Sequence, residues 1–411
     1  MTTPGLAAGG GWRAAARGGG LLSVAADGSE QVATTIFAEM SALAARTGAI
    51  NLGQGFPDVD GPAWIAEAAV TAIHAGHNQY PPGPGIAELR RAVADHQRRH
   101  YGLQVDPDTE VLITTGATEA LAAALLALVG PGDEVITLEP FYDSYGGVIG
   151  LAGAAHLPVG LIPSPEGFRL DAEALRAAAS PRTRLILVNT PHNPTGAVLD
   201  VADLAVIAEV AADCDAIVLT DEVYEHLTFD DAVHTPIATL PGMAARTLTV
   251  SSAGKTFSFT GWKIGWLHGP AELVAAVRTV KQFLTYVSGA PFQPAIARAL
   301  ADDDTPRALA SSLAARRDLL CEGLEAAGFD VAVPRGTYFV VADGAPLGFP
   351  DGADLCRRLP DLAGVVAIPM TAFCRSGSPT HDALRSSLRF TFVKRSEVLR
   401  QAVDRLTHLR R

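Results

Sequence analysis

The chain has 411 residues, 48% of them hydrophobic and 18% charged, with a formal net charge of −12. That describes a soluble globular chain long enough to bury more than one core, and its acidic balance opposes nucleic acid as a main partner. No apolar run reaches the length of a membrane span, and Cys214, Cys321, Cys356 and Cys374 lack the paired spacing of a disulfide framework or a zinc site, as expected of a cytoplasmic protein.

Residues 1–28 are rich in Gly and Ala, with arginines and no acid before Asp27. They carry no clear cleavage pattern and read as a flexible extension. Residues 29–60 are expected to join a smaller domain, because the apolar runs of a large sheet begin only later. From 61 to 299 short apolar runs alternate with helical patterns. The runs are "VLIT" (111–114), "EVITLE" (134–139), "AAHLPVGL" (154–161), "RLILV" (184–188), "AIVLT" (216–220) and "TLTV" (247–250). Ala/Leu-rich stretches such as "ATEALAAALLALV" lie between them. Continuous apolar strands separated by helices predict an α/β domain with a mostly parallel sheet covered on both faces. Residues 300–411 read differently: an amphipathic helix, "LAARRDLLCEGLEAAG", then "FVV", "VVAIP" and "SSLRFTFV" as strands of a smaller α+β domain.

Ligands of an open parallel sheet bind just past the carboxyl ends of its strands. There "VLIT" is followed by "TGATEA", a glycine turn opening a helix whose N–H groups suit a phosphate. "EVITLE" is followed by "PFYDSY", whose Phe141 and Tyr142 suit either a core or a ring stack. "RLILV" is followed by "NTPHNPTG", where prolines and a glycine order Asn189 and Asn193 beyond the needs of a connector. "AIVLT" is followed by "DEVY": Asp221 could cap a helix or hold a ring nitrogen protonated. "TLTV" is followed by "SSAGK", with Ser252 and Lys255.

The Gly-Lys-Thr triplet at 254–256 looks like the end of a nucleotide-binding loop. That loop needs a glycine where Thr249 stands, so the nucleotide reading fails. The remaining choices for Lys255 are a solvated loop lysine or an amine that condenses with an aldehyde. The other strand ends supply what pyridoxal phosphate would need: a phosphate cradle, a carboxylate, ring-oxygen donors and an aromatic stack.

"NTPHNPTG", "DEVY" and "SSAGKTFSFTGWKIGW" closely resemble the class I/II aminotransferases of pyridoxal-phosphate fold type I, in the kynurenine, glutamine and methionine aminotransferase branch. "INLGQGFPD" (50–58), "NQYPPGPGIAELR" (78–90), "EPFYDSY" and "LRFTFVKR" (388–395) extend the likeness over about residues 30–405. "QYPPGPG" and "GAPFQPA" resemble most the bacterial N-succinyldiaminopimelate aminotransferases, whereas "TYVSGAPF" (285–292) departs from the kynurenine-type pattern. The resemblance implies transamination between an amino acid and a 2-oxo acid, with pyridoxal 5′-phosphate bound.

It implies that Lys255 condenses with the cofactor and shuttles the proton, and that Asp221 pairs with the ring nitrogen. Asn193 and Tyr224 would bond the ring oxygen, and Tyr142 would stack on the ring. The backbone of Gly116, Ala117 and Thr118, with Ser252 and Lys263, would hold the phosphate. Arg389, Asn189 and Gly55 would take the substrate carboxylate, and Tyr80 would reach the phosphate of a neighbouring subunit, which implies a homodimer with shared sites. The expected donor is N-succinyl-LL-2,6-diaminopimelate with the 2-oxoglutarate/glutamate pair; the alternative is a broad-specificity methionine/glutamine/kynurenine-type aminotransferase. Arg375 and the turn "PPGPG" are candidates for the distal carboxylates of the succinylated donor.

Two rival functions are a β-lyase acting on cysteine conjugates with the same cofactor, and a ligand-sensing regulator. The regulator would need a DNA-binding domain, for which the first 28 residues are too short and poorly patterned. "HQRRH" (96–100) has histidines at ligand spacing but lacks the glutamate of the metalloprotease motif; it reads as a solvated helix face, with no metal.

Overall fold

A computed structural model describes residues 11–24, 30–164 and 167–410. It opens with α1 (Gly11–Gly18), an antiparallel ribbon of β1 (Leu22–Val24) and β2 (Glu30–Val32), α2 (Ile36–Thr47) and β3 (Ile50–Asn51). α3 (Ala63–His74) and α4 (Ala87–Tyr101) lead into β4 (Val111–Thr115), α5 (Gly116–Leu128), β5 (Glu134–Glu139), α6 (Asp143–Ala152), β6 (Ala155–Ser164) and β7 (Gly167–Leu170). Next come α7 (Ala172–Ala178), β8 (Thr183–Asn189), α8 (Val201–Asp213), β9 (Ile217–Asp221), β10 (Thr247–Ser252), the single turn α9 (Ala253–Thr256) and β11 (Ile264–His268). α10 (Ala271–Lys281), α11 (Phe292–Ala299) and α12 (Asp304–Ala327) precede β12 (Asp330–Ala332), β13 (Phe339–Asp343) and α13 (Gly352–Ala363). The chain closes with β14 (Val365–Val366), β15 (Ile368–Pro369), α14 (Pro379–Ala383), β16 (Ser387–Thr391) and α15 (Ser396–Leu406).

The large sheet has eight strands in the order β4-β11-β10-β9-β8-β5-β6-β7. Its central pairs, β10–β9–β8–β5–β6, are parallel, while β11 and the edge strand β7 run antiparallel to their neighbours. Successive side chains of a strand face opposite ways. Val135, Leu185 and Ile217 therefore pack with α5, α6 and α10 residues, whereas Ile136, Ile186 and Val218 pack on the other side against α8. Both faces are apolar, which is why these strands appear in the sequence as unbroken runs. β7 and β11 were not among the predicted strands; β11 begins inside the "GWKIGW" motif.

A second sheet, β12-β13-β16-β15, is antiparallel and packs with α12, α13 and α15 around another core that includes Leu320, Leu355, Phe390 and Leu399. β3 pairs in parallel with β14, and Met40 of α2 belongs to this same core. The chain thus has a large mostly parallel sheet with flanking helices and a smaller sheet beside it.

Two stretches differ from the sequence reading. Residues 1–10 and 25–28 of the expected flexible extension lie outside the described residues, but Gly11–Gly18 is a helix packed on α6. The helices approach closely because both are glycine-rich. A Cβ on Gly18 would stand 2.0 Å from Gly146 O, and one on Gly146 would stand 2.2 Å from Gly18 O. The second difference is "HQRRH". His96 and Gln97 are buried on the stripe that includes Leu89 and Val93, with spacings of four and three or four residues. They are not on a solvated face; Arg98 is.

Candidate active site

The carboxyl ends of β4, β5, β8, β9 and β10 open on one cavity of 360 Å³, a size suited to a small molecule. Its walls include Gly116, Ala117, Thr118, Tyr142, Asn189, Asn193, Asp221, Tyr224, Ser252, Lys255 and Lys263 from the large-sheet side. Gly55 and Arg389 join them from the side of the second sheet. Of the residues assigned to the cofactor or the substrate α-carboxylate from the sequence, all are in this lining except Tyr80.

Lys255 stands on the single turn α9, directly after β10. Its Nζ donates to the hydroxyl of Tyr338 at 2.7 Å, and that hydroxyl donates in turn to Gly55 O at 2.7 Å. Asp221 ends β9 and is buried, with Oδ2 accepting from Tyr145 OH at 2.6 Å. Burial pushes its carboxyl up to about 6, while Tyr145, the Val223 N–H and the Lys255 charge pull the other way. Such a carboxylate is costly unless a cation meets it. Tyr224 lies one turn beyond, its ring edge-on to Tyr338 at 5.3 Å, and burial holds its hydroxyl well above the usual range.

Opposite these groups is an anion cradle. Thr115 precedes α5 without making a side-chain cap, and helix geometry leaves first-turn N–H groups for a ligand. Glu119 Oε2 accepts from Thr115 N at 2.6 Å and so anchors the turn from below. Gly116 has φ +71°, and a Cβ there would lie 3.3 Å from Lys263 Nζ. Lys263 itself is held at φ 54°. A Cβ on Gly265 would lie 2.5 Å from Gly116 C, so this glycine lets β11 pass against the cradle. Positive charge, helix N–H groups and Ser252 converge there.

Arg389, in β16, is buried, and burial pushes its guanidinium down to about 10. It is enclosed by the rings of Phe339 (4.0 Å) and Phe373 (4.6 Å). Nη1 donates to Asn193 Oδ1 at 3.0 Å and Nη2 to Gly53 O at 2.9 Å, while the buried Nε has no partner. Asn193 is itself placed by Asn189, whose Oδ1 accepts from the Asn193 N–H at 2.7 Å and whose Nδ2 donates to Asp221 O at 2.8 Å. A planar cation with an unsatisfied donor in an apolar slot suits a carboxylate.

Tyr80 is 83% exposed and meets the Tyr286 ring edge-on at 5.8 Å. Arg375 does not line the cavity either; it is exposed and donates to His156 O. Conversely, Tyr338 and Tyr145 were not singled out from sequence. Tyr145 sits in the quoted "PFYDSY", but nothing local says its hydroxyl crosses to β9. No helix among the described residues is long and apolar enough to cross a membrane.

Comparison with known proteins identifies the family. The Aminotransferase class I and II family matches residues 47–406. The probable N-succinyldiaminopimelate aminotransferase DapC of Mycobacterium tuberculosis is 57% identical over 382 residues, covering 92% of this chain and 96% of that protein. The methionine aminotransferase of Escherichia coli is 40% identical over 380 residues, covering 92% and 97%. The solved structure of N-succinyldiaminopimelate aminotransferase from M. tuberculosis superposes with a TM-score of 0.89 at 58% identity, covering 92% of this chain and 97% of that one. The chain belongs to the class I and II aminotransferases: it is an enzyme of fold type I that exchanges an amino group between an amino acid and a 2-oxo acid.

Proposed function

We propose that this aminotransferase works with pyridoxal 5′-phosphate and that its donor is N-succinyl-LL-2,6-diaminopimelate, with 2-oxoglutarate and glutamate as the other pair. The observation that carries the cofactor is one cavity offering an amine, a buried carboxylate and a cationic anion cradle. Gly116, Ala117, Thr118, Ser252 and Lys263 would hold the phosphate, and Tyr142, Asn193 and Tyr224 would hold the ring. When bound, pyridoxal phosphate supplies an aldehyde that condenses with amines and a ring that takes up the electron pair freed at the substrate α-carbon.

The chain's own groups do the rest. Lys255 Nζ, oriented by Tyr338, removes the proton from the α-carbon and returns it. The Asp221 carboxylate keeps a proton on the ring nitrogen, and Tyr145 fixes that carboxylate. Arg389 binds the α-carboxylate common to every amino and 2-oxo acid substrate, with Asn189 and Gly55 beside it. Because Asn193 touches Arg389, the ring site and the carboxylate site are positioned together.

The choice of donor rests on the 57% identical relative. A homodimer belongs to the same proposal, supported by an exposed apolar patch: Phe283 is 84% exposed beside exposed Tyr80, Leu284 and Tyr286. So does a division into a cofactor-binding unit over 61–299 and a smaller unit of 29–60 with 300–411. A cytoplasmic location fits the unpaired cysteines.

The test is kcat/KM for N-succinyl-diaminopimelate against methionine, glutamine and kynurenine with one acceptor. The diaminopimelate derivative should lead by roughly tenfold or more, about 1.4 kcal/mol of transition-state binding. If methionine or glutamine leads instead, the enzyme is a broad-specificity aminotransferase.

A further inference from the structure

Outside the cavity, three imidazoles converge from two parts of the chain. His96 and His100 stand one turn apart on α4, and His226 comes from the turn that follows β9, five residues after Asp221. One ring nitrogen from each lies within 4.8 Å of the others. The ring centroids are 4.5 Å (His96–His100), 4.9 Å (His96–His226) and 5.0 Å (His100–His226) apart. We propose that His96, His100 and His226 form a binding site for a divalent transition metal of the zinc type, which ties α4 to the 221–226 turn.

The chemistry of the donors supports zinc. Imidazole nitrogen is a preferred ligand of borderline metals, and three such ligands with one further position make a common tetrahedral set. His96 Nε2 and His226 Nε2 are 2.7 Å apart, sharing a hydrogen bond. Around a tetrahedral zinc with Zn–N near 2.05 Å the corresponding separation is about 3.3 Å, so the pair must open by only about 0.6 Å.

The surroundings are those of a ligating cluster. Asp303 Oδ1 accepts from His100 Nε2 at 3.0 Å, the carboxylate–histidine pairing that orients metal-bound imidazoles. Gln97 lies 3.3 Å from His96 Nδ1, and its buried Oε1 has no partner. Turning that amide over places an acceptor on Nδ1–H and leaves Nε2 for the metal. Glu225 contributes a buried carboxylate close to His96 and His226, held by Tyr101 OH at 2.9 Å and by Ser251. Arg99 is the opposing charge, 3.0 Å from Asp303, and Arg307 lies 3.8 Å from its other oxygen. His96 is buried while His100 and His226 are partly exposed, so an ion can enter from their side.

The test uses the tag-free full-length holoenzyme, treated with chelator and titrated with Zn²⁺ by calorimetry, with zinc X-ray absorption on the loaded protein. One Zn²⁺ per chain should bind with a Kd of roughly 1 μM or tighter, in a shell of nitrogen and oxygen near 2.0 Å without sulfur at 2.3 Å. His100→Ala, at the partly exposed edge, and His226→Asn should each weaken binding at least about tenfold and abolish the zinc-dependent rise in Tm, with cofactor absorbance confirming the fold. A Cys214→Ser/Cys374→Ser variant should bind as wild type does. Sulfur in the shell, binding weaker than roughly 100 μM, or unchanged affinity in folded His100→Ala would overturn the proposal.

Discussion

Asp221 couples folding to chemistry through one proton. Burial pushes its carboxyl up to about 6 from an ordinary 3.8. That is about two units, and at about 1.4 kcal/mol per unit it amounts to roughly 3 kcal/mol. Below pH 3.8 the carboxyl is neutral in the folded and unfolded chains alike, and burial carries no charge penalty. Between that value and about 6 the unfolded chain releases the proton while the folded chain keeps it, so stability falls as pH rises, and the full loss is present above about 6. Asp221→Asn keeps the shape and an acceptor for Tyr145, but it has no proton to lose. In cofactor-free protein the variant should match wild type near pH 4 and exceed its stability by up to roughly 3 kcal/mol above pH 7, measured by urea unfolding across that range. Reconstituted with pyridoxal phosphate, the same variant should transaminate several orders of magnitude more slowly, because an amide cannot keep the ring nitrogen protonated. A stability difference that stays flat from pH 4 to 8, or a wild-type half-reaction rate, would refute the reasoning.

Lys255→Ala should bind pyridoxal phosphate without a covalent link and lose several orders of magnitude in turnover; borohydride reduction of wild type followed by peptide mapping should label Lys255, and a label on Lys263 would reverse their roles. Arg389→Lys gives up the planar fork in its aromatic slot and should cost one charge-assisted hydrogen bond, about 1.5–3 kcal/mol or roughly ten- to hundredfold in kcat/KM. An alkylamine without a carboxylate should react equally well with both proteins, and equal losses on both substrates would count against carboxylate binding. Tyr338→Phe removes the acceptor of the Lys255 Nζ hydrogen bond and should slow the proton-transfer half-reaction by a similar factor, with donor binding little changed. Tyr80→Phe should weaken cofactor affinity modestly, by about one hydrogen bond to a charged group, and wild type should sediment as a dimer; an active monomer would exclude the shared site.

The part of the site carried on the large sheet was readable because its signals are local. β4, β5, β8, β9 and β10 are buried on both faces, so each is an apolar run in the sequence, and a residue one to three positions past each run is at the cavity: Gly116, Tyr142, Asn189, Asp221, Ser252. A parallel sheet collects those ends on one edge whatever the strand order, and so the chemistry could be assembled before the topology was known. Arg389 was reached only through resemblance, since "SSLRFTFV" alternates like any strand. The fold makes it special by closing Phe339 and Phe373 over its guanidinium and leaving Nε unpaired.

Tyr145, Tyr338 and the histidines of α4 share that dependence. Their residue types were visible, but their roles come from partners far away in the chain: Asp221 for Tyr145, Lys255 and Gly55 for Tyr338, His226 for His96. The docking of α1 on α6 is similar, because it depends on glycines in two distant helices meeting. Periodicity and turn chemistry act over about ten residues and are written into the chain directly. Desolvation, pairing and close approach depend on what packs opposite, and only the tertiary structure decides that.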